Sequence, residues 1–425
     1  MAVPERRDFL VVGAGPAGLA AALEASRAGV DTCVVDLDCR AGGRSPHDSH
    51  TRRLVRDVLA ATVEVRLNTR AWGIWGRTVA TCPAGGRDHR IAAEQVLLAT
   101  GARERPLVFP GWRLAGVTTC ANVSGRTLLA GSGPGLFPLA VKLHRRGVDV
   151  RAVVEAAPAR WDHESEAYLR QHRITFRNGH LLMRAEGAER LERAVVARVD
   201  AEWRVQPATE SAFDVETIVL DYGEVPRSEL SRLSGCTHVR SGVDSIVPVC
   251  DEWMRTDVPG LHVAGDLCGV CGPRIAAQQG RLAGIDVALA LGRLTRADAE
   301  RLAQPIRTHL RRLARARERE WSAYRPGRGL FELAGPETVV CHCENVTAAE
   351  IQAAVIDASP DPAPVRGETR AGMGICQARD CARQVEALVA RAAGVPLDVA
   401  PPLSVRPPVV PIPLGAIAEL PLELS

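Results

Sequence analysis

Four cysteines in the last quarter of the chain carry the strongest chemical signal in this sequence. Cys341 and Cys343 form a C-x-C pair, and Cys376 and Cys381 form a C-x4-C pair after an interval of 32 residues. Four thiolates supplied by two short loops suit an iron–sulfur cluster or a tetrahedral zinc ion. The glycine-rich stretch Thr369-Arg-Ala-Gly-Met-Gly374 leads into the second pair and can donate backbone N–H groups to cluster sulfurs. We expect a cluster, with zinc as the alternative.

A helix must separate the two cysteine pairs. Thr347 followed by Glu350 matches the capping box, in which each side chain accepts a hydrogen bond from the backbone of the other residue. The sequence therefore predicts a helix from residue 348 to about residue 358.

The second signal lies at the other end of the chain and indicates a dinucleotide site. The apolar run Phe9-Leu-Val-Val is followed by Gly13, Gly15 and Gly18, then by a helical stretch, a second apolar run and Asp36. In this unit the first glycine permits the tight turn, the second lets the backbone approach a pyrophosphate, and the third lets the helix pack on the strand. The acidic residue accepts hydrogen bonds from a ribose.

A second half-site follows about 250 residues later and favours FAD over NAD as the ligand. The strand at 261–264 delivers Gly265 and Asp266 to the edge of the sheet, where an aspartate can bond ribityl hydroxyls. Thr100 and Gly101 end another strand and return the chain towards the dinucleotide. Gly43, in a glycine pair after Asp36, is expected near the flavin side, although a simple loop is the alternative.

A second strand–glycine–helix unit resembles a pyridine-nucleotide site. Gly131 and Gly133 follow an apolar run, and the next strand, at 150–154, ends in Glu155. However, Leu136 occupies the third glycine position, where close packing of helix on strand is needed. NAD(P) binding is therefore doubtful, and a retained scaffold that binds another nucleotide or none is favoured.

Two further stretches each allow a purely structural interpretation and a functional one. Cys268 and Cys271 form a CxxC just after Asp266, which is either a redox disulfide beside the flavin or two small packed residues. The arginine-rich helix predicted at 297–321 is either a solvated surface or a partner surface.

The composition limits the remaining possibilities. The chain has 425 residues, of which 46% are hydrophobic and 24% charged, as in globular proteins of two to four domains. The net charge of +3 gives no reason to expect nucleic-acid binding. No apolar run is long enough to span a membrane, and we expect a cytoplasmic protein. In that compartment twelve cysteines indicate metal binding or redox chemistry rather than a set of disulfide bonds.

The same residues carry a resemblance to a known family. The cysteine motifs look like the bacterioferritin-associated-ferredoxin (BFD) type [2Fe–2S] domain. The whole chain is similar to the large FAD/NAD-fold subunits of multisubunit amino-acid and opine dehydrogenases, which include hydrogen cyanide synthase, opine oxidase, and hydroxyproline and dye-linked proline dehydrogenases. The matching segments are Cys341-His-Cys-Glu-Asn-Val-Thr347, Thr369-Arg-Ala-Gly-Met-Gly-Ile-Cys-Gln-Ala-Arg379, Ala99-Thr-Gly-Ala-Arg-Glu-Arg-Pro106, Phe109-Pro-Gly-Trp112, Val247-Pro-Val249 and Trp253-Met-Arg-Thr256.

The resemblance implies an α/β, glutathione-reductase-like flavoprotein with two dinucleotide-binding domains and a small helical BFD-like domain. The expected divisions are an FAD-binding domain at 1–125 and 235–300, an inserted NAD(P)-type domain at 126–234, a helical arginine-rich linker at 301–337, the BFD-like domain at 338–394 and a proline-rich extended tail at 395–425. Among four departures from the family pattern, Arg44 replaces a common Gln, Glu224 a favoured Phe and Ala378 a Gly. Asp221 also stands where the family favours Gly.

The resemblance also implies a function and its residues. An amine is oxidised on a flavin in a separate D-amino-acid-oxidase-like subunit, while the present subunit relays electrons to a quinone or another carrier. Further expectations are an FMN at a subunit interface, a small ferredoxin-like subunit, and attachment to the inner face of the membrane. FAD is assigned to Gly13, Gly15, Gly18, Asp36, Gly43, Thr100, Gly101, Gly265 and Asp266, and the [2Fe–2S] cluster to Cys341, Cys343, Cys376 and Cys381.

Two other function classes stay open at the level of sequence. One is a self-contained NAD(P)H-dependent flavin oxidoreductase that reduces an iron–sulfur acceptor. The other is a largely non-catalytic scaffold subunit. No residue of the sequence is assigned as a general acid or base for amine chemistry, and no substrate is named by it.

Overall fold

The structure, a computed structural model, describes residues 4–120, 122–158, 163–243 and 245–417. The strands are β1 Glu5–Val12, β2 Thr32–Val35, β3 Val63–Arg66, β4 Thr69–Trp75, β5 Thr78–Pro83, β6 His89–Leu98, β7 Ala102–Glu104, β8 Val117–Thr118, β9 Arg126–Gly131, β10 Asp149–Glu155, β11 Thr175–Asn178, β12 His180–Glu186, β13 Arg193–Arg198, β14 Ser211–Asp214, β15 Thr217–Asp221, β16 Glu224–Pro226, β17 His238–Ser241, β18 Ser245–Pro248, β19 Leu261–Val263, β20 Val339–Cys341 and β21 Val346–Thr347. The helices are α1 Pro16–Arg27, α2 Ser49–Leu59, α3 Leu136–Arg145, α4 His163–Gln171, α5 Glu229–Leu233, α6 Pro273–Ala290, α7 Arg296–Trp321, α8 Ala348–Ala353, α9 Pro362–Thr369, α10 Ala382–Ala392 and α11 Leu414–Ile417.

The first nucleotide unit is a parallel sheet with an antiparallel extension. Its strand order is β3-β2-β1-β6, with β19 pairing along the C-terminal half of β6 and the β5–β4 hairpin along the N-terminal half. Strand β1 is buried on both faces from Phe9 to Val12, which explains its continuous apolar run. Helix α1 begins at Pro16, whose fixed φ suits the first helical position.

Helices α1 and α6 pack in direct backbone contact, and this contact brings the two half-sites together. A Cβ on Gly280 would lie 2.0 Å from the carbonyl oxygen of Ala17, and one on Gly284 would lie 2.4 Å from that of Ala21. Side chains larger than hydrogen therefore cannot occupy these α6 positions without moving the helices apart. This close packing places Gly265 and Asp266, which precede α6, beside the glycine turn that precedes α1.

The second nucleotide unit contains a parallel sheet of order β11-β10-β9-β15-β8 and an antiparallel sheet β12-β13-β14. Helix α3 joins β9 to β10, so the strand–glycine–helix–strand order predicted from the sequence is present. Helix α7 then buries Ala299, Ala303 and Ile306 while most of its arginines stay exposed. Its last residue, Trp321, reaches the second unit.

The cysteine-rich segment folds as a small helical body with its own core. Thr347 and Glu350 form the predicted capping box at α8. The prediction that this helix extends to about residue 358 is wrong, because α8 ends at Ala353 and residues Asp357 and Ala358 adopt positive φ. Helix α9 is not among the predicted elements, although Asp361 caps it and Pro362 begins it, which is a recognisable start signal.

The proline-rich tail connects the cysteine-rich body to the first unit. Between α10 and α11 the described residues form no helix or strand. Leu403 and Val409 are buried, and the Val409 N–H donates to the Trp72 carbonyl at 2.9 Å. Residues 418–425 of the predicted tail lie outside the described residues, and the predicted domain boundaries stay predictions. Among the helices that the structure describes, none is long and apolar enough to cross a membrane.

Candidate flavin cleft and cluster site

A cleft of about 460 Å³ opens at the carboxyl ends of β1, β2 and β6, where ligands bind in open α/β sheets. This volume lies within the range of small-molecule sites. Eight of the nine residues assigned to FAD by the sequence line it: Gly13, Gly15, Asp36, Gly43, Thr100, Gly101, Gly265 and Asp266. Gly18 lies behind the turn in α1.

The glycines of the first turn have the distinct roles that the motif predicts. A Cβ on Gly13 would lie 2.2 Å from the Ala99 carbonyl oxygen, and one on Gly18 would lie 1.8 Å from that of Gly13. Both glycines are therefore required by the packing of the protein itself. Apart from its own neighbours in the chain, no atom of the described residues lies within 4 Å of the Gly15 Cβ position. The side of Gly15 that a side chain would occupy is therefore open to the cleft that this residue lines. Packing does not require a glycine at this position, whereas a pyrophosphate that approaches the backbone does.

Two of the carboxylates that line the cleft are held by backbone N–H groups. Asp36 accepts hydrogen bonds from the backbone N–H of Ala14 and, at 2.7 Å, from that of Asp38. Burial raises the pKa of Asp36, and these two N–H groups oppose the rise. Asp266 accepts from the N–H groups of Cys271 and Gly272 at 2.8 and 3.0 Å through one carboxylate oxygen. Asp266 thereby closes the loop that begins α6.

The Thr100–Gly101 turn is held by the segment that returns from the second unit. The Thr100 hydroxyl donates to the Arg227 carbonyl at 2.7 Å, and the Arg227 N–H donates to the Gly101 carbonyl at 2.9 Å. Gly101 adopts a φ of +70°, which a glycine accepts without strain. The turn and Arg227 both line the cleft.

The four cysteines of the C-terminal body come together in space. The thiol of Cys381 is hydrogen-bonded to those of Cys341 and Cys376, and the thiol of Cys376 is also bonded to that of Cys343. These hydrogen bonds lower the pKa of Cys341 and of Cys376 to about 6, and they raise the pKa of Cys381. Thiolates are the form that ligates iron.

The glycine-rich loop packs directly on these sulfurs. The Gly372 N–H points at the Cys341 sulfur at 3.4 Å, as the sequence predicts for this loop. A Cβ on Gly374 would lie 2.2 Å from the Cβ of Cys343. Within the described residues no three candidate ligands surround one point as a single ion requires. The thiols form a chain of pairwise contacts, and this donor set of four sulfurs fits a two-iron cluster.

Ala378 explains why a glycine is favoured in this loop. It adopts a φ of +62°, and its Cβ lies 3.0 Å from the Cβ position of Gly372. Left-handed backbone costs about 1 kcal/mol or more for a residue with a Cβ. We expect Ala378→Gly to raise the free energy of unfolding of this body by about 1 kcal/mol, measured by thermal unfolding followed at the cluster absorbance. An unchanged or lower stability would contradict the strain.

The cluster loop forms one wall of the cleft, which the sequence analysis does not predict. Cys376, Arg379 and Asp380 line the same cleft as the glycine turn. Arg103 holds the loop there: its guanidinium donates to the Arg379 carbonyl at 3.2 Å and pairs with Glu229 at 2.6 Å. Arg103 lies in a segment quoted for the family resemblance, but nothing in its local pattern indicates that it reaches a loop 276 residues away.

The second glycine turn is closed by the chain itself. A Cβ on Gly131 would lie 2.0 Å from the Asp221 carbonyl oxygen, and Leu136 is fully buried at the start of α3. The indole of Trp321 lies 3.8 Å from the Cβ position of Gly133. The Arg317 guanidinium stacks on that indole at 4.0 Å. A dinucleotide pyrophosphate entering this turn would meet the Trp321 ring.

Glu155 gives this unit a measurable dependence on pH. Burial raises its pKa to about 7, against hydrogen bonds from the N–H groups of Ala157 and Gly133. The stability due to its bound proton is complete below about pH 4.5 and is lost as the pH rises through 7. We expect Glu155→Gln to raise the free energy of unfolding at pH 8 by about 3 kcal/mol and to change it little at pH 5.

Denaturant unfolding at the two pH values measures this effect, with the exposed Glu189→Gln as the control. A Glu155→Gln protein that is no more stabilised at pH 8 than at pH 5 would show that the carboxyl is not protonated by burial.

Comparison with protein families decides the assignment of this architecture. Residues 7–292 match the model of the pyridine nucleotide-disulphide oxidoreductases, and residues 339–391 match the BFD-like [2Fe–2S] binding domain. The chain belongs to the pyridine nucleotide-disulphide oxidoreductase family. The family implies FAD in the first unit, and the C-terminal domain implies a [2Fe–2S] cluster. The fold class and the resemblance predicted from the sequence are thereby confirmed.

Curated relatives and solved structures extend over nearly the whole of this oxidoreductase chain. It is 33% identical to hydrogen cyanide synthase subunit HcnB of Pseudomonas aeruginosa, over 97% of this chain and 99% of the relative. It is 30% identical to an opine oxidase subunit of Rhizobium meliloti, over 97% and 88% of the two chains. The fold superposes on an L-proline dehydrogenase structure from P. horikoshii with a TM-score of 0.71 and 19% identity, covering 98% of this chain and 81% of that one.

Two departures from the family pattern compensate for each other. The guanidinium of Arg44 pairs with Glu224, and it also pairs with Glu104 at 2.7 Å. A Phe at 224 would leave Arg44 with fewer partners, and a Gln at 44 would leave Glu224 without its cation. The two residues together therefore place an ion pair beside the cleft.

The CxxC sequence does not form the pair that its spacing suggests. The thiol of Cys268 is hydrogen-bonded to that of Cys250, whereas the thiol of Cys271 faces the Asp266 carboxylate at 3.4 Å. Burial next to this carboxylate raises the pKa of Cys271. Of the two interpretations made from the sequence, the geometry therefore favours packing for the Cys268–Cys271 pair.

Proposed function

We propose that this chain is the electron-relay subunit of a multisubunit dehydrogenase that oxidises amino acids or opines. The observation that carries the proposal is that Cys376, Arg379 and Asp380 of the cluster loop line the same cleft as the first glycine turn. The flavin and the cluster would therefore be neighbours within one chain. When bound, FAD supplies two-electron chemistry and a [2Fe–2S] cluster supplies single-electron transfer.

The residues of this chain would bind and orient the two groups. FAD is assigned to Gly13, Gly15, Gly18, Asp36, Gly43, Thr100, Gly101, Gly265 and Asp266, and the cluster to Cys341, Cys343, Cys376 and Cys381. The open face at Gly15 supports the position of the pyrophosphate. The Gly372 N–H at the Cys341 sulfur supports the position of the cluster, because hydrogen bonds to the sulfurs help to set cluster potentials.

The names of the relatives support the assignment to a complex. The relatives from hydrogen cyanide synthase and from opine oxidase are both named as subunits. We infer that the amine is oxidised on a D-amino-acid-oxidase-like FAD subunit, and that an FMN at the interface and a small ferredoxin-like protein are further components. A quinone or another carrier accepts the electrons, in the cytoplasm or at the inner face of the membrane.

The alternative of a self-contained NAD(P)H oxidoreductase is disfavoured by the second glycine turn. Trp321 stands in front of Gly133, and Leu136 replaces the third glycine. We expect the chain loaded with FAD and cluster to lose less than about a tenth of its flavin absorbance within minutes of adding NADH or NADPH under anaerobic conditions, because Trp321 and Leu136 obstruct the second glycine turn. Dithionite bleaches both chromophores and serves as the positive control.

Reconstitution with a D-amino-acid-oxidase-like subunit from the same genome completes the test. An amino acid or opine should then bleach flavin and cluster of this chain only when that subunit is present. Rapid bleaching by NADH alone would overturn the relay proposal. A purified chain that binds neither FAD nor iron would favour the scaffold alternative.

A further inference from the structure

A second, smaller cavity of about 80 Å³ lies where the first unit, the cluster domain and the tail meet. The first unit contributes Arg103 to its wall, the cluster domain contributes Arg366 and Arg383, and the tail contributes Arg406. We call this cavity the arginine chamber. Arg103 and Glu229 also line the flavin cleft, so the chamber adjoins that cleft.

The charges around the chamber do not balance. Five arginines and two glutamates line it, a formal net charge of +3. Glu229 is engaged by Arg103 at 2.6 Å, and Glu386, which is 1% exposed, is engaged by Arg383 and by the Leu403 N–H. Arg366 is buried, whereas Arg406 is exposed at the rim. Because a buried charge is costly unless it is paired, an anion within the chamber would offset this excess.

Three arginines of the chamber also carry a buried nitrogen without a hydrogen-bond partner in the described part of the chain. Arg366 is 7% exposed; its two terminal nitrogens donate to the carbonyls of Ser404 at 2.9 Å and Gly372 at 3.3 Å, and its Nε has no partner within the described part of the chain. Arg232 donates to the Leu403 carbonyl. In the same described ranges, the Nε atoms of Arg103 and Arg383 are likewise buried without a partner.

The pKa directions of two chamber arginines also favour a bound anion. Burial, together with the charge of Arg406, lowers the pKa of Arg366. Burial also lowers the pKa of Arg232; the charges of Glu386 and Glu229 oppose this fall, and the charge of Arg383 adds to it. An anion among these groups would remove both the repulsion and the unsatisfied donors.

We propose that the arginine chamber binds a small tetrahedral oxyanion of the phosphate class. Planar guanidinium groups that arrive from three parts of the chain match several oxygens arranged around one centre, and a dianion offsets most of the net charge. A chloride ion offers one acceptor point and one charge. The bound anion joins the cluster domain and the tail to the flavin domain, because its ligands belong to all three. This inference does not depend on the proposed function.

The test uses the full chain loaded with FAD and cluster, so that the flavin cleft is occupied. Isothermal titration with inorganic phosphate, and thermal unfolding in phosphate against chloride of equal ionic strength, measure the binding. We expect a phosphate-specific rise in Tm. We also expect Arg366→Gln to weaken phosphate binding about tenfold, as loss of one charge-assisted contact does.

A second variant is needed because Arg366 also holds the cluster loop, so that Arg366→Gln could lose phosphate binding through misfolding. Arg406 is exposed at the rim of the chamber, and Arg406→Gln should weaken phosphate binding while leaving the cluster absorbance unchanged. The matched control is Arg328→Gln, which removes an exposed arginine that pairs with Asp398 outside the chamber. The control should bind phosphate like the unaltered chain.

Competition with a mononucleotide shows whether the chamber binds free phosphate or the phosphate group of a nucleotide. If AMP competes with inorganic phosphate, the chamber accepts the phosphate of a nucleotide; if only inorganic phosphate binds, it takes the free anion. The proposal is overturned if phosphate has no effect beyond that of chloride, or if both chamber variants bind phosphate as tightly as the control.

Discussion

Replacing Cys381 with serine is expected to abolish the iron–sulfur absorbance and to reduce bound iron and sulfide to near zero, while FAD is retained. Cys381 is 1% exposed and its thiol contacts two of the other three cysteine thiols, so it lies at the centre of the donor set. Loss of one of four thiolates leaves a cluster iron without its ligand. Iron and sulfide assays together with the visible spectrum measure the effect.

Two variants serve as controls for the cysteine prediction. Cys120 is an exposed free cysteine outside the cluster domain, and Cys120→Ser should keep the cluster. His342 lies between two of the cysteines, with its ring 6.2 Å from the ring of Trp112, and His342→Ala should also keep it. Full iron content in Cys381→Ser, or its loss in His342→Ala, would show that the ligand set is different.

Replacing Gly15 with valine is expected to remove FAD without unfolding the chain. No atom of the described residues lies within 4 Å of the Gly15 Cβ position, and the residue has an extended backbone with φ −78° and ψ −178°, which valine adopts readily. The added side chain occupies the space where a pyrophosphate must approach the backbone. We expect bound flavin to fall below about a tenth of its normal content, with the free energy of unfolding measured on apoprotein changed by about 1 kcal/mol or less.

The second glycine turn offers a matched control. The Gly135 Cβ position also has no described atom within 4 Å, and its φ is −83°, so Gly135→Val adds the same side chain to the other unit. It should retain FAD. Gly13→Ala, whose Cβ would lie 2.2 Å from the Ala99 carbonyl oxygen, should lose both flavin and stability. Normal flavin content in Gly15→Val would place the dinucleotide elsewhere.

The sequence predicts the structural features that depend on residues close together in the chain. The glycine turn is recognisable within one strand–turn–helix unit. The requirement at Gly18 is local, since its Cβ would meet the Gly13 carbonyl, although Gly13 must also clear the distant Ala99 carbonyl. The capping box of Thr347 and Glu350 is predictable for the same reason. Helix ends are harder to predict: α8 stops at Ala353 because the next residues leave the helical region, which no single residue signals.

The spacing of the cysteines indicates a shared site but not its neighbours. Cys341 and Cys376 are far enough apart that only the fold determines where their loops lie relative to the flavin domain. The contact of Arg103 with the Arg379 carbonyl, which places the cluster loop in the cleft, depends on the packing of the cysteine-rich body against the rest of the chain. Such packing leaves no periodic pattern in the sequence.

Motifs in the amino-acid sequence were enough to predict the two strand–glycine–helix units and the four cysteines as a donor set, since each motif depends on short-range spacing, and the family resemblance added the class of each cofactor. Three long-range contacts emerged only from the folded chain: Trp321 over the Gly133 turn, Arg44 with Glu224, and Cys268 with Cys250. These contacts join residues that lie apart in the chain, and their partners are selected by the packing of whole elements rather than by local conformation.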